Sequence, residues 1–223
     1  MFVLVPDPLQ QLLQQRRTGG SDPKSPIMRA VTINGKSIGE THLLDATGGL
    51  GVDAFMFAAA GFKVTLLEKN VLVYALLVDA VQRAKQVPQL KSIMKRISLH
   101  HCDSMDWFAS HANQEGAPDV IYLDPMYPIE SKMSAAPKKG MAIARALTGK
   151  VDRADDLVRA AVMCAKENVV LKRPYYSVES IGTLNAFKSR SLRFEVFTRD
   201  SWSKAGPYSE PRVFSPSMRQ PTL

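Results

Sequence analysis

The sequence predicts an α/β fold in which a mostly parallel β-sheet carries helices on both faces. Short apolar runs alternate with longer segments of helical pattern, and such runs are typical of strands that are buried on both faces. The first such run, 43–44, is followed by a glycine-rich turn over 45–51 and then by a helical segment. This order of strand, glycine turn and helix is typical of sheets that bind a nucleotide at the carboxyl ends of their strands.

The individual elements follow a regular order along the chain. Strands are predicted at 43–44, 64–67, 97–101, 120–123, 169–171 and 194–197. Helices are predicted at 53–60, where Gly61 is a natural stop, at about 71–86, where Asn70 can cap the first turn, and at about 153–166. Residues 1–40 mix apolar, glutamine-rich and loop-like stretches. From about Asp200 onward Ser, Pro and basic residues dominate without periodicity, which predicts a poorly ordered tail over 200–223.

The bulk properties are those of a basic globular protein. The chain has 223 residues, enough for one domain with a sizeable core, and 45% of them are hydrophobic. Its net charge of +8 favours a polyanionic partner, because release of counterions drives much of such binding. There is no run of about 18 apolar residues, and the apolar start of the chain is too short for a signal peptide, so we expect no membrane and a cytoplasmic location.

The cysteines and histidines do not form a metal motif. Cys102 and Cys164 are not a ligand-spaced pair, which suggests a reducing compartment. Residues 100–103 read His-His-Cys-Asp, but neighbours on a strand point to opposite faces, so only two of the four side chains could converge. Two ligands are too few for zinc, and we expect no metal.

The glycine turn is compatible with two classes of cofactor. Residues 49–54 satisfy the dinucleotide pattern G-x-G-x-x-A, and Glu68 stands 19 residues after Gly49, close to the spacing expected for a ribose-binding acid. A nicotinamide- or flavin-dependent oxidoreductase is therefore one interpretation. The other is S-adenosylmethionine, with Asp45 near the methionine end of the cofactor and Glu68 on the two hydroxyls of the ribose.

A second motif follows the fourth predicted strand and favours methyl transfer to an amine. Asp124 can accept a hydrogen bond from the exocyclic amine of a base. Pro125 restricts the backbone of the residue before it, and Tyr127 can stack on a flat ring. The amine is a poor nucleophile because its lone pair is delocalised into the ring. Hydrogen bonds to the Asp124 carboxylate and the Pro125 carbonyl would localise that lone pair, and neither bond has a role in hydride transfer.

Basic residues follow the same edge of the predicted sheet. Lys132, Lys138 and Lys139 come shortly after the Asp124 motif, and Lys172 and Arg173 follow the fifth predicted strand. We expect these five side chains to hold phosphates of a bound RNA, although Lys138 and Lys139 are equally compatible with an ordinary solvated charge run.

Taken together, the motifs carry a family resemblance. In chain order they are Asp45-Ala46-Thr47-Gly48-Gly49-Leu50-Gly51, Leu67-Glu68-Lys69-Asn70, Tyr122-Leu123-Asp124-Pro125-Met126-Tyr127-Pro128 and Val169-Val170-Leu171-Lys172-Arg173-Pro174. This combination resembles the bacterial small-subunit ribosomal RNA methyltransferase J family over residues 16 to 198. The resemblance implies a Rossmann-like class I S-adenosylmethionine-dependent methyltransferase fold. It also implies methylation of the exocyclic N2 of a guanine in 16S ribosomal RNA, so the expected partner is that RNA or the small ribosomal subunit.

The resemblance also assigns domains and site residues. It implies a shortened amino-terminal segment at 1–40 and a methyltransferase domain at 41–199, and it places Asp103 and Ser104 near the adenine ring, where a plain loop cap is the alternative. Val52 stands where the family commonly has a basic residue, so we expect contact through its backbone. The predicted catalytic residues are Asp124, Pro125 and Tyr127. The predicted cofactor-binding residues are Asp45, Thr47, Gly49, Gly51, Val52, Asp53, Glu68, Lys69, Asp103, Ser104 and Asp124.

Related chemistries remain as alternatives at this point. Motifs of the form Asp/Asn-Pro-Pro-Tyr also serve methyltransferases that act on adenine N6 or on protein amides. Met126 in place of the second proline, together with Lys172-Arg173-Pro174, favours guanine N2. An NAD(P)-dependent oxidoreductase would need an acid group near the nicotinamide, and no residue stands out for it.

Overall fold

The structure is a computed structural model that describes residues 22–125, 154–177 and 180–205. The predictions for Tyr127, Lys132, Lys138 and Lys139 therefore lie outside the described residues. The strands are β1 (His42–Asp45), β2 (Lys63–Glu68), β3 (Ile97–His101), β4 (Val120–Leu123), β5 (Asn168–Pro174), β6 (Asn185–Lys188) and β7 (Leu192–Phe197). The α-helices within these ranges are α1 (Pro26–Val31), α2 (Val52–Ala60), α3 (Val71–Lys85), α4 (Lys91–Met94), α5 (Ser104–His111), α6 (Ala154–Val162) and α7 (Arg199–Ala205).

The described strands form one sheet in the order β3-β2-β1-β4-β5-β7-β6. Strands β1 to β5 pair in parallel, β7 runs antiparallel to β5, and β6 runs antiparallel to β7. The sheet is thus mostly parallel, as predicted. Between β1 and β4 the direction in which the chain adds strands reverses, which opens a crevice at the carboxyl ends of these two strands.

The two faces of the sheet form two separate hydrophobic clusters. Alternate residues of each strand face opposite ways, so that Leu43 and Tyr122 lie in one cluster while Leu44 and Leu123 lie in the other. Helices α1 and α2 cover the first face, and α6 covers the second. Strands buried on both sides need apolar residues at successive positions, and this is why apolar runs predicted β1, β4 and the first half of β5 correctly.

Strand β6 was not predicted from the sequence, because it lies at the edge of the described sheet and is not a buried apolar run. Among the described strands it pairs only with β7, and its burial alternates little: Asn185 and Lys188 are exposed, while Ala186 and Phe187 are partly buried. Helix α1 was also not predicted. It begins after Ser25, whose side chain accepts a hydrogen bond from the N–H of Met28, and packs against β6 and β7. Part of the amino-terminal segment 1–40 is thus integrated into the first hydrophobic cluster.

The carboxyl-terminal end of the described chain also differs from the expectation. Residues Arg199–Ala205 form helix α7, although the lack of periodicity predicted poor order from Asp200 onward; the rest of that predicted tail, 206–223, lies outside the described residues. Thr198 and Ser201 exchange side-chain-to-backbone hydrogen bonds at the start of the helix, at 2.9 and 3.1 Å. Trp202 contacts Phe197 edge to face. One capping pair and one aromatic contact therefore hold a helix that is too short to show a periodic pattern. Within the described ranges no helix is both long and apolar enough to cross a membrane.

Candidate active site

The predicted site residues of the described chain converge at the carboxyl ends of the parallel strands. Asp45 ends β1, Glu68 ends β2, Asp124 directly follows β4 and Lys172 lies near the end of β5. The parallel register aligns Asp45 with Leu66 and Tyr122, and Leu123 with Leu171. Residues far apart in sequence are therefore brought to one edge of the sheet, at the crevice between β1 and β4.

The glycine turn lies directly against β2. The N–H of Gly48 donates to the carbonyl of Leu67 at 2.9 Å, and a Cβ atom at position 48 would stand only 2.7 Å from that carbonyl oxygen. Gly51 precedes α2 with φ of 72°, a left-handed conformation that glycine adopts without strain. The turn therefore needs glycine at both positions, at 48 for space and at 51 for backbone conformation.

Glu68 connects the turn to the end of β2. Its two carboxylate oxygens accept hydrogen bonds from the backbone N–H groups of Gly49, at 2.8 Å, and Asn70, at 2.7 Å. Burial raises the pKa of Glu68, and these two N–H groups partly offset that effect. A carboxylate presents about four lone-pair positions. Two of these positions are used by the N–H groups, so two remain that can accept hydrogen bonds from the ribose hydroxyls of the predicted cofactor.

A network of charged side chains surrounds Asp124. The Nζ atom of Lys172 lies 2.8 Å from Oδ2 of Asp124 and 2.8 Å from Oδ2 of Asp53. The hydroxyl of Tyr122 donates to the same Asp53 oxygen at 2.7 Å, and the N–H of Asp124 donates to Oγ1 of Thr47 at 2.6 Å. The glycine turn, α2, β4 and β5 are in this way connected through one group of hydrogen-bonded atoms.

The electrostatics of the network favour the charged forms of Asp53 and Lys172. Burial alone would raise the pKa of Asp53, but Lys172 lowers it below the ordinary value. Burial would likewise lower the pKa of Lys172, whereas Asp124 and Asp53 raise it well above the ordinary value of a lysine. Lys172 therefore carries its proton throughout the neutral range. The side chain of Asp124 remains 38% exposed, so it is accessible from the crevice.

Lys172 contacts two carboxylates in the structure, whereas the sequence predicted that it contacts RNA phosphates. Its side chain is only 19% exposed and its ammonium group bridges two carboxylates, because strand β5 places it beside Asp124 on the same face of the sheet. Arg173 is similarly engaged, with contacts of 3.4 Å to Asp155 and 3.7 Å to Glu195. Both side chains are therefore engaged by carboxylates, Lys172 beside Asp124 and Arg173 on the opposite face of β5 beside Asp155 and Glu195.

The pKa of the Asp45 carboxyl group is strongly raised. The group is buried, and desolvation together with the nearby charges of Asp53 and Asp124 raises its pKa to about 8, against the opposing effects of the Thr47 N–H and Lys172. The Oδ1 atom accepts the N–H of Thr47 at 3.1 Å. A carboxyl group that is mostly protonated at neutral pH, and that stands at the carboxyl end of β1, is well suited to ionise when a cation binds beside it.

The remaining predicted cofactor residues lie around the same turn. Asp103 caps α5 by accepting the N–H of Met105 at 2.8 Å, and its other oxygen lies 3.7 Å from Nζ of the exposed Lys69. Ser104 donates to the carbonyl of Ala46, which ties the start of α5 to the glycine turn. Val52 is 39% exposed at the start of α2. Asp103 therefore acts as a helix cap while its side chain remains at the rim of the crevice.

Tyr122 was not predicted as a site residue, although a signal for it was present. Tyr122 and Asp124 are two residues apart and so project from the same face of the extended chain around β4. A polar hydroxyl inside an otherwise apolar strand needs a hydrogen-bond partner, and Asp53 supplies it.

The described part of the chain contains no group of three or more His, Cys, Asp or Glu side chains that could hold a metal ion.

Comparison with known proteins places the chain in a family. A family model for SAM-dependent (S-adenosylmethionine-dependent) methyltransferases matches residues 3–199. The ribosomal RNA small subunit methyltransferase J of Nitrosococcus oceani is 39% identical over 184 residues, which cover 82% of this chain and 71% of that protein. This chain belongs to the ribosomal RNA small subunit methyltransferase J family. The namesake from Pseudoalteromonas atlantica is 42% identical over 162 residues, or 71% of this chain and 62% of that protein.

A solved structure supports the fold and the class of cofactor. The crystal structure of a SAM-dependent methyltransferase from Neisseria gonorrhoeae matches with a TM-score of 0.66 and 30% identity, over 87% of this chain and 74% of that one. The predicted Rossmann-like fold, enzyme class and S-adenosylmethionine cofactor of this methyltransferase J family member are thereby confirmed. The oxidoreductase interpretation of the glycine turn is wrong.

Proposed function

We propose that this chain transfers a methyl group from S-adenosylmethionine to the exocyclic N2 of a guanine in small-subunit ribosomal RNA. The observation that carries the proposal is the Asp124 carboxylate, which follows β4 beside the glycine turn and is held by Lys172 at 2.8 Å. The relatives in the comparison are named as small-subunit ribosomal RNA methyltransferases, and the net charge of +8 suits an RNA substrate.

The cofactor would be held at the glycine turn. Glu68 would accept from the ribose hydroxyls, the backbone at Gly49 to Val52 would line the cofactor, and Asp45 would face the ammonium group of the methionine end. Asp103 and Lys69 lie at the rim, where Asp103 could accept from the adenine amine. The bound cofactor supplies a sulfonium-activated methyl group, so the protein mainly has to position and desolvate the reactants.

Asp124 would orient the guanine amine. A carboxylate that accepts a hydrogen bond from the N2 amine localises the lone pair of that nitrogen. Its negative charge also stabilises the positive character that the nitrogen gains in the transition state. The bond to Lys172 and the bond from the Asp124 N–H to Thr47 hold the carboxylate and its backbone in one orientation. Pro125 and Tyr127 retain their predicted roles, the first through its carbonyl and the second by stacking on the base.

The direct experiment is methylation of small-subunit RNA from a strain that lacks the enzyme. Purified protein, S-adenosylmethionine and this RNA should yield N2-methylguanosine on nucleoside analysis of the digested product. Formation of N6-methyladenosine instead would assign the chain to the adenine-specific alternative. Absence of any newly methylated nucleoside, in a protein that binds S-adenosylhomocysteine, would reject the free RNA as the substrate.

Replacing Glu68 by glutamine should weaken cofactor binding. The amide is neutral and its NH2 group cannot accept a hydrogen bond, so at least one charge-assisted hydrogen bond from a ribose hydroxyl is lost. At about 1.5–3 kcal/mol per such bond, the affinity for S-adenosylhomocysteine should fall by about tenfold or more in calorimetric titration. The same change at the exposed Glu167 is the control, and equal affinities of the two variants would contradict the placement of the ribose.

Cofactor binding should release a proton from Asp45. With a pKa of about 8, the group is mostly protonated at pH 7, and a cationic ammonium group nearby would favour its ionised form. Titration calorimetry with S-adenosylhomocysteine in buffers of different ionisation enthalpy should therefore show heats that vary with the buffer. Asp45→Asn should lose this variation, and buffer-independent heats in the unsubstituted protein would contradict the assignment.

The same carboxyl group should lower stability as the pH rises. Because its folded-state pKa is raised, the folded protein binds more protons than the unfolded chain between about pH 4 and pH 8. The free energy of unfolding should thus fall with rising pH across that window, and less steeply in Asp45→Asn. This control needs no ligand and shows whether the carboxyl group is perturbed before cofactor binds.

A further inference from the structure

A basic groove lies at the edge of the sheet opposite the candidate active site. Its volume is about 810 Å³, and it is lined by the first residues of β1 and β2, the turn before β3 and the loops before β1 and β4. Five cationic side chains line it: Lys36, Lys63, Lys95, Arg96 and Lys166. They come from four separate segments of the chain, and all except the partly buried Lys36 are exposed.

The acidic side chains in the groove do not cancel this charge. Glu40 and Asp119 are the two carboxylates among the lining residues. Both oxygens of Asp119 are already engaged: Oδ1 lies 2.6 Å from Nζ of Lys36, and Oδ2 accepts the backbone N–H of His42 at 2.8 Å. Five cations against two carboxylates leave an excess of three positive charges. Lys63, Lys95, Arg96 and Lys166 supply the part of this charge that faces solvent.

His42 lines the groove but adds no charge to it. Burial lowers its pKa, and Lys166 and Lys63 lower it further, whereas Asp119 acts in the opposite direction. Its ring bonds to Oγ1 of Thr65 at 2.9 Å. His42 is therefore neutral at pH 7, and the groove does not depend on histidine protonation for its charge.

The position of the groove restricts what can use it together with the active site. Strand β2 begins at Lys63 in the groove and ends at Glu68 in the cofactor site. Five steps of about 3.3 Å separate these edges by roughly 17 Å. A nucleotide in the active site cannot reach the groove, whereas an RNA chain can follow the protein surface from one edge to the other.

We propose that the basic groove binds the phosphate backbone of the RNA substrate at a point distant from the methylated base. The inference rests on the proposed RNA methyltransferase function and deepens it. Cations that come from four segments around a cavity of this size suit several phosphates of one backbone better than a single phosphate ion. The groove supplies affinity and register, while the carboxyl edge of the sheet performs the chemistry.

The test compares two triple variants that remove equal charge. The groove variant carries Lys63→Gln, Lys95→Gln and Lys166→Gln, so it loses three exposed charges of the groove and keeps the Lys36–Asp119 ion pair. The control variant carries Lys24→Gln, Lys85→Gln and Lys204→Gln, so it loses three exposed charges that do not line the groove. The affinity for small-subunit RNA is measured across salt concentrations, alongside the affinity for S-adenosylhomocysteine and the thermal unfolding midpoint.

The groove variant should bind the RNA at least tenfold more weakly at about 0.1 M salt, and its salt dependence should be shallower by about 2 in log–log slope. The control variant should stay close to the unsubstituted protein, and S-adenosylhomocysteine should bind all three proteins equally. Equal losses in the two triple variants, or none in the groove variant, would overturn the proposal. Failure of the unsubstituted enzyme to form N2-methylguanosine would instead count against the proposed function, because RNA affinity is measured independently.

Discussion

Asp124→Ala should lower kcat for RNA methylation by about 10² to 10³, which corresponds to roughly 2.7–4 kcal/mol of lost transition-state stabilisation. The reason is that the carboxylate acts on charge that develops only as the nitrogen attacks the methyl group. The affinity for S-adenosylhomocysteine should change little, since the contacts of the glycine turn with Glu68 do not involve Asp124. Single-turnover methylation with nucleoside analysis of the product measures the effect.

Two further variants sharpen this prediction. Asp124→Asn should keep some activity, because its carbonyl still accepts a hydrogen bond but carries no charge. Asp106→Ala removes a carboxylate from the exposed surface of α5 and should leave kcat unchanged. An Asp124→Ala protein with full activity, or a product methylated at another atom, would remove Asp124 from the mechanism.

Lys172→Met should impair both stability and catalysis. The substitution leaves Asp53 and Asp124 without the cation that now lies 2.8 Å from each, and removal of one partner of a largely buried ion pair costs about 3 kcal/mol or more. We expect kcat to fall at least as far as in Asp124→Asn, because the remaining carboxylate is no longer held in one orientation. Loss of the positive charge should also raise the pKa of the carboxylates and move the activity profile to higher pH.

A double variant separates the positioning role of Lys172 from a purely structural one. Adding Asp53→Asn to Lys172→Met removes one of the two uncompensated charges, so the free energy of unfolding should recover in part. The rate should not recover, since the ammonium group of Lys172 is still absent beside Asp124. If kcat returns together with stability, Lys172 supports only the fold. If Lys172→Met retains the unsubstituted rate and pH profile, it has no positioning role.

The site was predictable from sequence wherever one segment carries its own signal. Gly48 and Gly51 indicate the turn, because only glycine fits the space at 48 and the left-handed backbone at 51. The apolar run directly before Asp124 indicates the end of a buried strand. Each of these signals depends on neighbours in the chain. The family, the cofactor and the position of Asp124 could be inferred from such signals in their order.

The contacts of the basic residues could not be inferred in this way. Lys172 was expected on RNA phosphates, yet its ammonium group joins Asp124, 48 positions away, to Asp53, 119 positions away. A lysine at the end of a strand looks the same in sequence whether it faces solvent or a carboxylate. Only the order of strands in the sheet, which places β5 beside β4, decides between the two.

The sequence by itself determined the parallel sheet, the glycine turn and the carboxylate at the end of β4. Burial on both faces requires runs of apolar residues, and a left-handed backbone favours glycine, so both features are visible in adjacent residues. The tertiary structure alone decided the edge strand β6, the partners of Lys172 and the basic groove. Those features arise where segments distant along the chain meet, and the free energy of such contacts depends on geometry that no local pattern records.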